Sequence, residues 1–274
     1  MIPRANITAW RSSAPWPSNE QVEQDLVLSR ALVAMYSNST VADQLVFRGG
    51  SALNKLFFAE AGRYSEDIDL VRRKAGPIGN LIGEIRKTLD YWLGSPKWKQ
   101  GRDRFSLYYR FETSFEPVSG MRLKIEINTR EHFSVLGTDR REFSVDNPWF
   151  TNSADVQVYK LDELLGTKMR ALYQRKKGRD LFDLWLALKS GETDCDRIIE
   201  CFLRYMDYSG SPVSRAEFEK NLSEKLDSRQ FLEDIKPLIR ADINYDPSVA
   251  ADMVHDELVA RLPGEPWKGE ARGA

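Results

Sequence analysis

The spacing of apolar residues changes partway along the chain, and with it the kind of element predicted. Ser18-Asn19-Glu20-Gln21 reads as a capping box, and Val22, Leu26, Leu28, Leu32, Val33 and Met35 then share one broad face, which predicts a helix to about Tyr36. The Trp- and Pro-bearing segment before it reads as irregular. Leu45-Val46-Phe47 predicts a short strand stopped by Gly49-Gly50, after which Ser51 can cap a helix over 51–59. Residues 64–71 read as a strand, 78–92 as a helix, and 105–111 and 121–128 as two further strands. From Val158 the pattern is helical alone: 160–174, 179–188 and 196–205 follow with no convincing strand between them. Ser214-Arg215-Ala216-Glu217 is a second capping box, and Asp246-Pro247 supplies an N-cap with proline at the first helical position before a helix over 249–262. The expected fold class is α+β. A mixed sheet with flanking helices occupies 1–155 and a helical domain 156–274, with 263–274 frayed.

Composition narrows the class. With 42% apolar and 30% charged residues in 274, the chain can bury a core and is not a disordered polymer. No run approaches the roughly 18 apolar residues of a membrane span, and residues 1–18 carry no signal-peptide core, so a soluble cytoplasmic protein with no membrane partner is expected. Cys195 and Cys201 cannot staple a fold of this size and are expected to stay reduced. The only histidines are His132, read as a surface residue, and His255, so a zinc site would consume nearly every Cys and His present. A metal would instead be held by carboxylates, which selects Mg²⁺ or Mn²⁺. The formal charge of −1 hides an asymmetry: residues 160–179 carry a local +5 and residues 242–274 a local −4. One concentrated basic segment on a near-neutral chain suits local polyanion binding.

The chemistry concentrates in 46–70. A strand running into Gly49-Gly50-Ser51 and then a helix would expose backbone N–H groups at the positive end of a helix dipole, an anion cradle; an ordinary turn is the other reading. The P-loop pattern and G-x-G-x-x-G are both absent. In a strand, Asp67 and Asp69 project on one face while Ile68 and Leu70 take the other. Two such carboxylates repel, and divalent cations would neutralise them and bridge nucleotide phosphates, although a solvated strand face is the bland alternative. Leu123-Lys124-Ile125-Glu126-Ile127 adds a third acid on a second strand, with Lys124 and Glu126 sharing a face. Two aspartates and one further acid make a sensible two-metal phosphoryl-transfer set.

Order and spacing of these motifs resemble the AbiEii/AbiGii toxin family of nucleotidyltransferases, which includes the MenT-like toxins and is a branch of the DNA polymerase β-like superfamily. Gly49-Gly50-Ser51 with Ser65-Glu66-Asp67-Ile68-Asp69 matches the family's first motif, and Lys124 with Glu126 its second. Lys168, within Leu164-Leu165-Gly166-Thr167-Lys168, matches the third, a helix carrying a lysine, and Arg179-Asp180-Leu181-Phe182-Asp183 the fourth. The resemblance spans about 45–188. It departs from the pattern in having Glu126 where aspartate is common, and 15 residues between Ser51 and Asp67.

The resemblance implies a nucleotidyltransferase fold followed by helices, and an enzyme moving a nucleoside monophosphate from an NTP to an acceptor hydroxyl. Asp67, Asp69 and Glu126 would hold Mg²⁺. Gly49, Gly50 and Ser51, with Lys124, Lys168, Arg179 and Asp183, would bind the nucleotide. Lys168 and Asp180 would complete the catalytic set, Asp180 being equally readable as an N-cap. Arg175, Lys176 and Lys177 read either as a solvated turn at a helix C-terminus or as an RNA contact. The aromatic pair Tyr108-Tyr109 reads as strand packing, with base stacking as the second possibility. By resemblance the setting is a bacterial toxin–antitoxin or phage-defence pair, with a cognate antitoxin and the 3′ end of tRNA as acceptor. A protein or small-molecule acceptor is one rival, and a nucleotide-binding regulator without turnover is the other.

Overall fold

The computed structural model describes residues 2–58 and 60–269. By contact density the chain divides into two compact units, Met1–Tyr159 and Lys160–Ala274. The first contains α1 (Arg4–Trp10), α2 (Asn19–Tyr36), α3 (Ser39–Gln44), β1 (Leu45–Arg48), α4 (Gly49–Leu56), β2 (Asp67–Arg72) and α5 (Gly79–Leu93). It then continues with β3 (Lys97–Gln100), β4 (Arg104–Glu112), β5 (Gly120–Asn128), β6 (Thr138–Asn147) and β7 (Phe150–Tyr159).

The strands form one mixed sheet in the order β3-β4-β5-β2-β1-β7-β6. β2 runs parallel to β5, β1 parallel to β7, and the remaining neighbours are antiparallel. One sheet face is apolar where Ile68, Leu70, Leu107, Tyr109, Leu123, Ile125 and Ile127 are buried, and α2 and α5 pack against these strands. The capping box of α2 forms as expected, with Ser18 accepting from the Gln21 N–H.

The N-terminal segment is irregular only in part: residues 4–10 fold as α1 and 11–18 are turns and bends, and the Trp10 and Trp16 indoles donate to the buried Asp25 carboxylate at 2.8 and 3.0 Å, with Lys55 bound to the same group at 2.7 Å. A helix of seven residues with no side-chain cap leaves no sequence signature, because its stability comes from these tertiary bonds. The helix after Gly49-Gly50 also begins earlier than expected, with Arg48 at the N-cap and Ser51 already inside it. It ends at Leu56; Ala59, the expected end, lies outside the described residues.

The second unit is helical: α6 (Leu161–Gln174), α7 (Gly178–Ser190), α8 (Cys195–Tyr208), α9 (Arg215–Leu226), α10 (Arg229–Glu233), α11 (Pro247–Glu257) and a 3₁₀ turn at Val259–Arg261. The Ser214/Glu217 capping box and the Asp246 cap with Pro247 in the first turn are both present. Of the residues expected to fray, those beyond 269 lie outside the described residues. α6 crosses α8 closely at Gly166, where an added Cβ would stand 2.5 Å from that of Cys201. No helix among the described residues is long and apolar enough to cross a membrane.

Candidate active site

Gly49 carries the chain out of β1 and into α4 at φ +80°, a conformation that L side chains rarely adopt. Its position is restricted by contact as well, since an added Cβ would lie 2.5 Å from Asp69 Oδ2. The turn therefore rests directly on the Asp69 carboxylate, with the N-terminus of α4 beside it. Gly50 is confined by the Arg63 guanidinium, which an added Cβ would strike. Gly49→Ala is expected to lower the melting temperature and to displace Asp69, so that transfer activity falls even in the fraction that stays folded. A variant with wild-type melting and wild-type rate would show that neither constraint matters.

Ser51 does not present its hydroxyl to an open cradle. It is 2% exposed, and its Oγ donates to the Asp67 carbonyl at 2.5 Å. Having one hydrogen, it must accept from Ser65 Oγ, 2.8 Å away. Ser51 and Ser65 thus brace the start of β2 against α4 and fix where Asp67 leaves the sheet.

Register then assembles the face. Asp67 lies opposite Lys124 and Asp69 opposite Glu126 on β5, while Arg48 on β1 lies opposite Asp69. Lys124 Nζ sits 2.9 Å from Glu126 Oε2 and 3.8 Å from Asp67 Oδ2. Burial lowers the proton affinity of Lys124, but the Glu126 hydrogen bond and the neighbouring aspartates more than restore it. Burial, reinforced by the charge of Asp69, pushes the Asp67 carboxyl up to about 6. Arg48 is held by Glu131 at 2.8 Å. Two concavities flank the pair. One, of about 840 Å³, is lined by Asp67, Tyr64, Arg110 and Arg122, and the other, of about 400 Å³, by Asp69, Glu126, Arg48 and Arg104.

The donor set suits a hard divalent cation through Asp67 and Asp69, two carboxylates on one strand face whose mutual repulsion is incompletely offset. Among the described residues no group of three or more His, Cys, Asp or Glu side chains is placed to ligate a metal. Glu126 is paired with Lys124, because residues two apart on a strand share a face and opposite charges there pair directly.

The raised Asp67 value has a consequence in the metal-free protein. A carboxyl titrating near 6 in the fold and near 3.8 in the unfolded chain opposes folding when ionised, and protonation relieves that cost as pH falls. Asp67→Asn should therefore raise the melting temperature at pH 7.5 by roughly one to three degrees, a figure discounted for solvent screening. The gain should vanish toward pH 4. An equal gain at both pH values would place its origin elsewhere.

In the second unit, Lys168 is 5% exposed and not a surface cation. Its Nζ lies 3.2 Å from Asp180 and 2.8 Å from Asp183, both fully buried on α7. Asp180 is the third residue of α7 and not its N-cap, and it takes two hydrogen bonds from Arg175 at 2.6 and 2.7 Å. Burial would raise the Asp180 pKa, but the Lys168 charge and the Arg175 bonds overcome it and hold the group at about 2. The basic loop is likewise not a row of free cations: Lys177 pairs with Asp234 at 2.9 Å and Arg179 with the same carboxylate at 3.5 Å, while Lys176 is exposed. The +5 counted along the chain is offset in space by Asp180, Asp183 and Asp234. Nothing local in the sequence marked Asp234, more than fifty residues beyond Lys177. His132, expected at the surface, is half-buried, its Nδ1 3.0 Å from the Arg72 carbonyl.

A glycine turn entering a helix over an Asp-x-Asp strand, beside a Lys-x-Glu strand of the same mixed sheet, is the architecture of a nucleotidyltransferase. The fold matches MenT4, a nucleotidyltransferase toxin from Mycobacterium tuberculosis, with TM-score 0.69 at 15% identity, over 96% of this chain and 91% of that one. It also matches JHP933 from Helicobacter pylori, with TM-score 0.57 at 19% identity, over 88% and 90%. No curated protein matches the sequence. Residues 30–253 match the family described as nucleotidyl transferase AbiEii toxin, type IV TA system, and the chain belongs to that family of toxin nucleotidyltransferases.

Proposed function

We propose that the protein transfers a nucleoside monophosphate from an NTP to a hydroxyl at an RNA 3′ end, that of tRNA by family resemblance. The observation that carries the reading is the Asp67/Asp69 pair on an open sheet face, with Asp69 set against the glycine turn that opens α4. Asp67 and Asp69 hold Mg²⁺ or Mn²⁺, which when bound neutralises phosphate charge and orients the triphosphate. The N–H groups at the start of α4 bind the terminal phosphates, Lys124 lies within reach of the same face, and Ser51 acts through the backbone of Asp67. The acceptor oxygen bonds to the α-phosphorus as its proton passes to a carboxylate of the site, Asp69 or Glu126; the bond to the bridging oxygen breaks, and pyrophosphate leaves. Such transfer depends on positioning and charge neutralisation more than on histidine chemistry. Lys168, Arg175, Asp180 and Asp183 lock α6 to α7, and Lys177 and Arg179 anchor Asp234.

In this reading the protein works in the cytoplasm as the toxin of a toxin–antitoxin or phage-defence pair, with a cognate antitoxin countering it. Incubation with each labelled NTP and Mg²⁺, separately with RNA and with protein extract, tests the acceptor. Label is expected at RNA 3′ ends and to disappear with chelation. Label found only in protein or in a small molecule would overturn the RNA assignment.

A further inference from the structure

Strand register places more than the carboxylates on the polar face. Across β5, β4 and β3, Lys124 lies opposite Tyr108 and Tyr108 opposite Lys97; Glu126 lies opposite Ser106 and Ser106 opposite Lys99. Arg122 faces Arg110 one pair to one side and Asn128 faces Arg104 one pair to the other. Lys97, Lys99, Arg104, Arg110 and Arg122 thus share the face of Asp67 and Asp69, and all five are exposed. None of them makes an ion pair among the described residues, in contrast to Arg175, Lys177 and Arg179. Arg110 and Arg122 stand directly opposite each other, a like-charge pairing that is unfavourable without an external anion. Both border the concavity that reaches Asp67, and Arg104 borders the one that reaches Asp69. Between these cations the Tyr108 ring is half-buried, with the Arg122 guanidinium 5.3 Å from its centroid.

A row of exposed cations without ion-pair partners suits a ligand that brings its own negative charges in a row, and a tyrosine ring with a guanidinium 5.3 Å from its centroid suits a base. Three interstrand steps separate Asp67 from Lys97, about 14 Å, the reach of a short single-stranded end. We propose that the acceptor strand approaches the carboxylate pair across β3, β4 and β5. Its phosphates lie on Lys97, Lys99, Arg104, Arg110 and Arg122, and one base near the terminus stacks on Tyr108 and Arg122. The proposal rests on the RNA-acceptor reading and moves the acceptor track from the α6–α7 loop to the sheet.

The full-length protein with Lys97, Lys99, Arg104 and Arg110 all replaced by alanine tests it, since these side chains are exposed and none is ion-paired with Asp67 or Asp69. Its apparent KM for RNA should rise by at least about tenfold and the log–log salt dependence should flatten by up to about three, at roughly 0.7 per lost single-strand phosphate contact. KM for NTP should stay the same. Tyr108→Ala should weaken RNA use about tenfold, with Tyr108→Phe restoring it, because stacking needs the ring and not the hydroxyl. Anisotropy of a labelled single-stranded oligoribonucleotide without NTP should show the same order of affinities, and thermal melting should show all variants folded. If the wild type labels RNA while the quadruple variant keeps its RNA KM and salt slope, the track is wrong and the RNA reading stands. A rise in the NTP KM alone would make the face a nucleotide site and also overturn the track. If the wild type labels no RNA, the acceptor reading itself falls, and the track with it.

Discussion

Asp67→Asn and Asp69→Asn are each expected to reduce nucleotidyl transfer by about a thousandfold or more, which corresponds to roughly 4 kcal/mol of lost transition-state stabilisation. The amide fills the same space and keeps the strand intact, but it cannot supply the anionic oxygen that a divalent cation requires. For Asp69 the substitution also preserves the contact with the Gly49 turn, so a fall in rate cannot be assigned to a collapsed loop. The double variant should be little worse than either single one, because two ligands of one ion act as a unit. Growth arrest on expression should disappear in parallel. Rates and circular dichroism both at wild-type level would remove these residues from the site.

Where the fold was legible, local chemistry and period agreed. Alternation put Asp67 and Asp69 on one face and Lys124 and Glu126 on another strand's face, and register then joined the two. Capping boxes at Ser18 and Ser214 and the Asp246-Pro247 start located three helices because those signals lie within four residues of one another. The hairpin of β6 and β7 is hard to read from sequence: β6, with Asp139, Arg140, Arg141 and Glu142, is a charged edge strand whose apolar alternation is confined to Phe143 and Val145. β3 is exposed along its whole length and was hidden for the same reason. Charge was the least legible property. The run at 160–179 reads as a polyanion site, yet Lys168, Arg175, Lys177 and Arg179 within it are paired with acids on α7 and with Asp234. The basic face of β3 to β5 draws single residues from three strands, so no window of sequence contains it. Only the register brings Arg110 opposite Arg122.

Lys168→Ala is expected to act on the fold of the second unit before it acts on the nucleotide, contrary to what the motif alone suggests. Removing this cation leaves Asp183 without its 2.8 Å partner and Asp180 dependent on Arg175 alone, both in a setting closed to water. Breaking a buried ion pair from one side costs about 3–5 kcal/mol, because the remaining charge keeps its desolvation penalty and loses its compensation. For a chain of this size that is a fall in melting temperature of roughly 6–15 °C. Lys168→Ala combined with Asp183→Asn should recover part of the loss, since one of the two buried negative charges is removed as well. The acid limb supplies a second check. Asp180 titrates at about 2 in the fold, below its ordinary value, so its contribution is present above pH 4 and is lost as pH falls toward 2. Without Lys168 that depression weakens, and the stability gap between wild type and variant should narrow as both are acidified. Assayed well below its melting temperature, the variant should show a nearly normal KM for NTP. A variant that melts like the wild type but needs far more NTP would instead show that Lys168 turns from its aspartates to meet the phosphates.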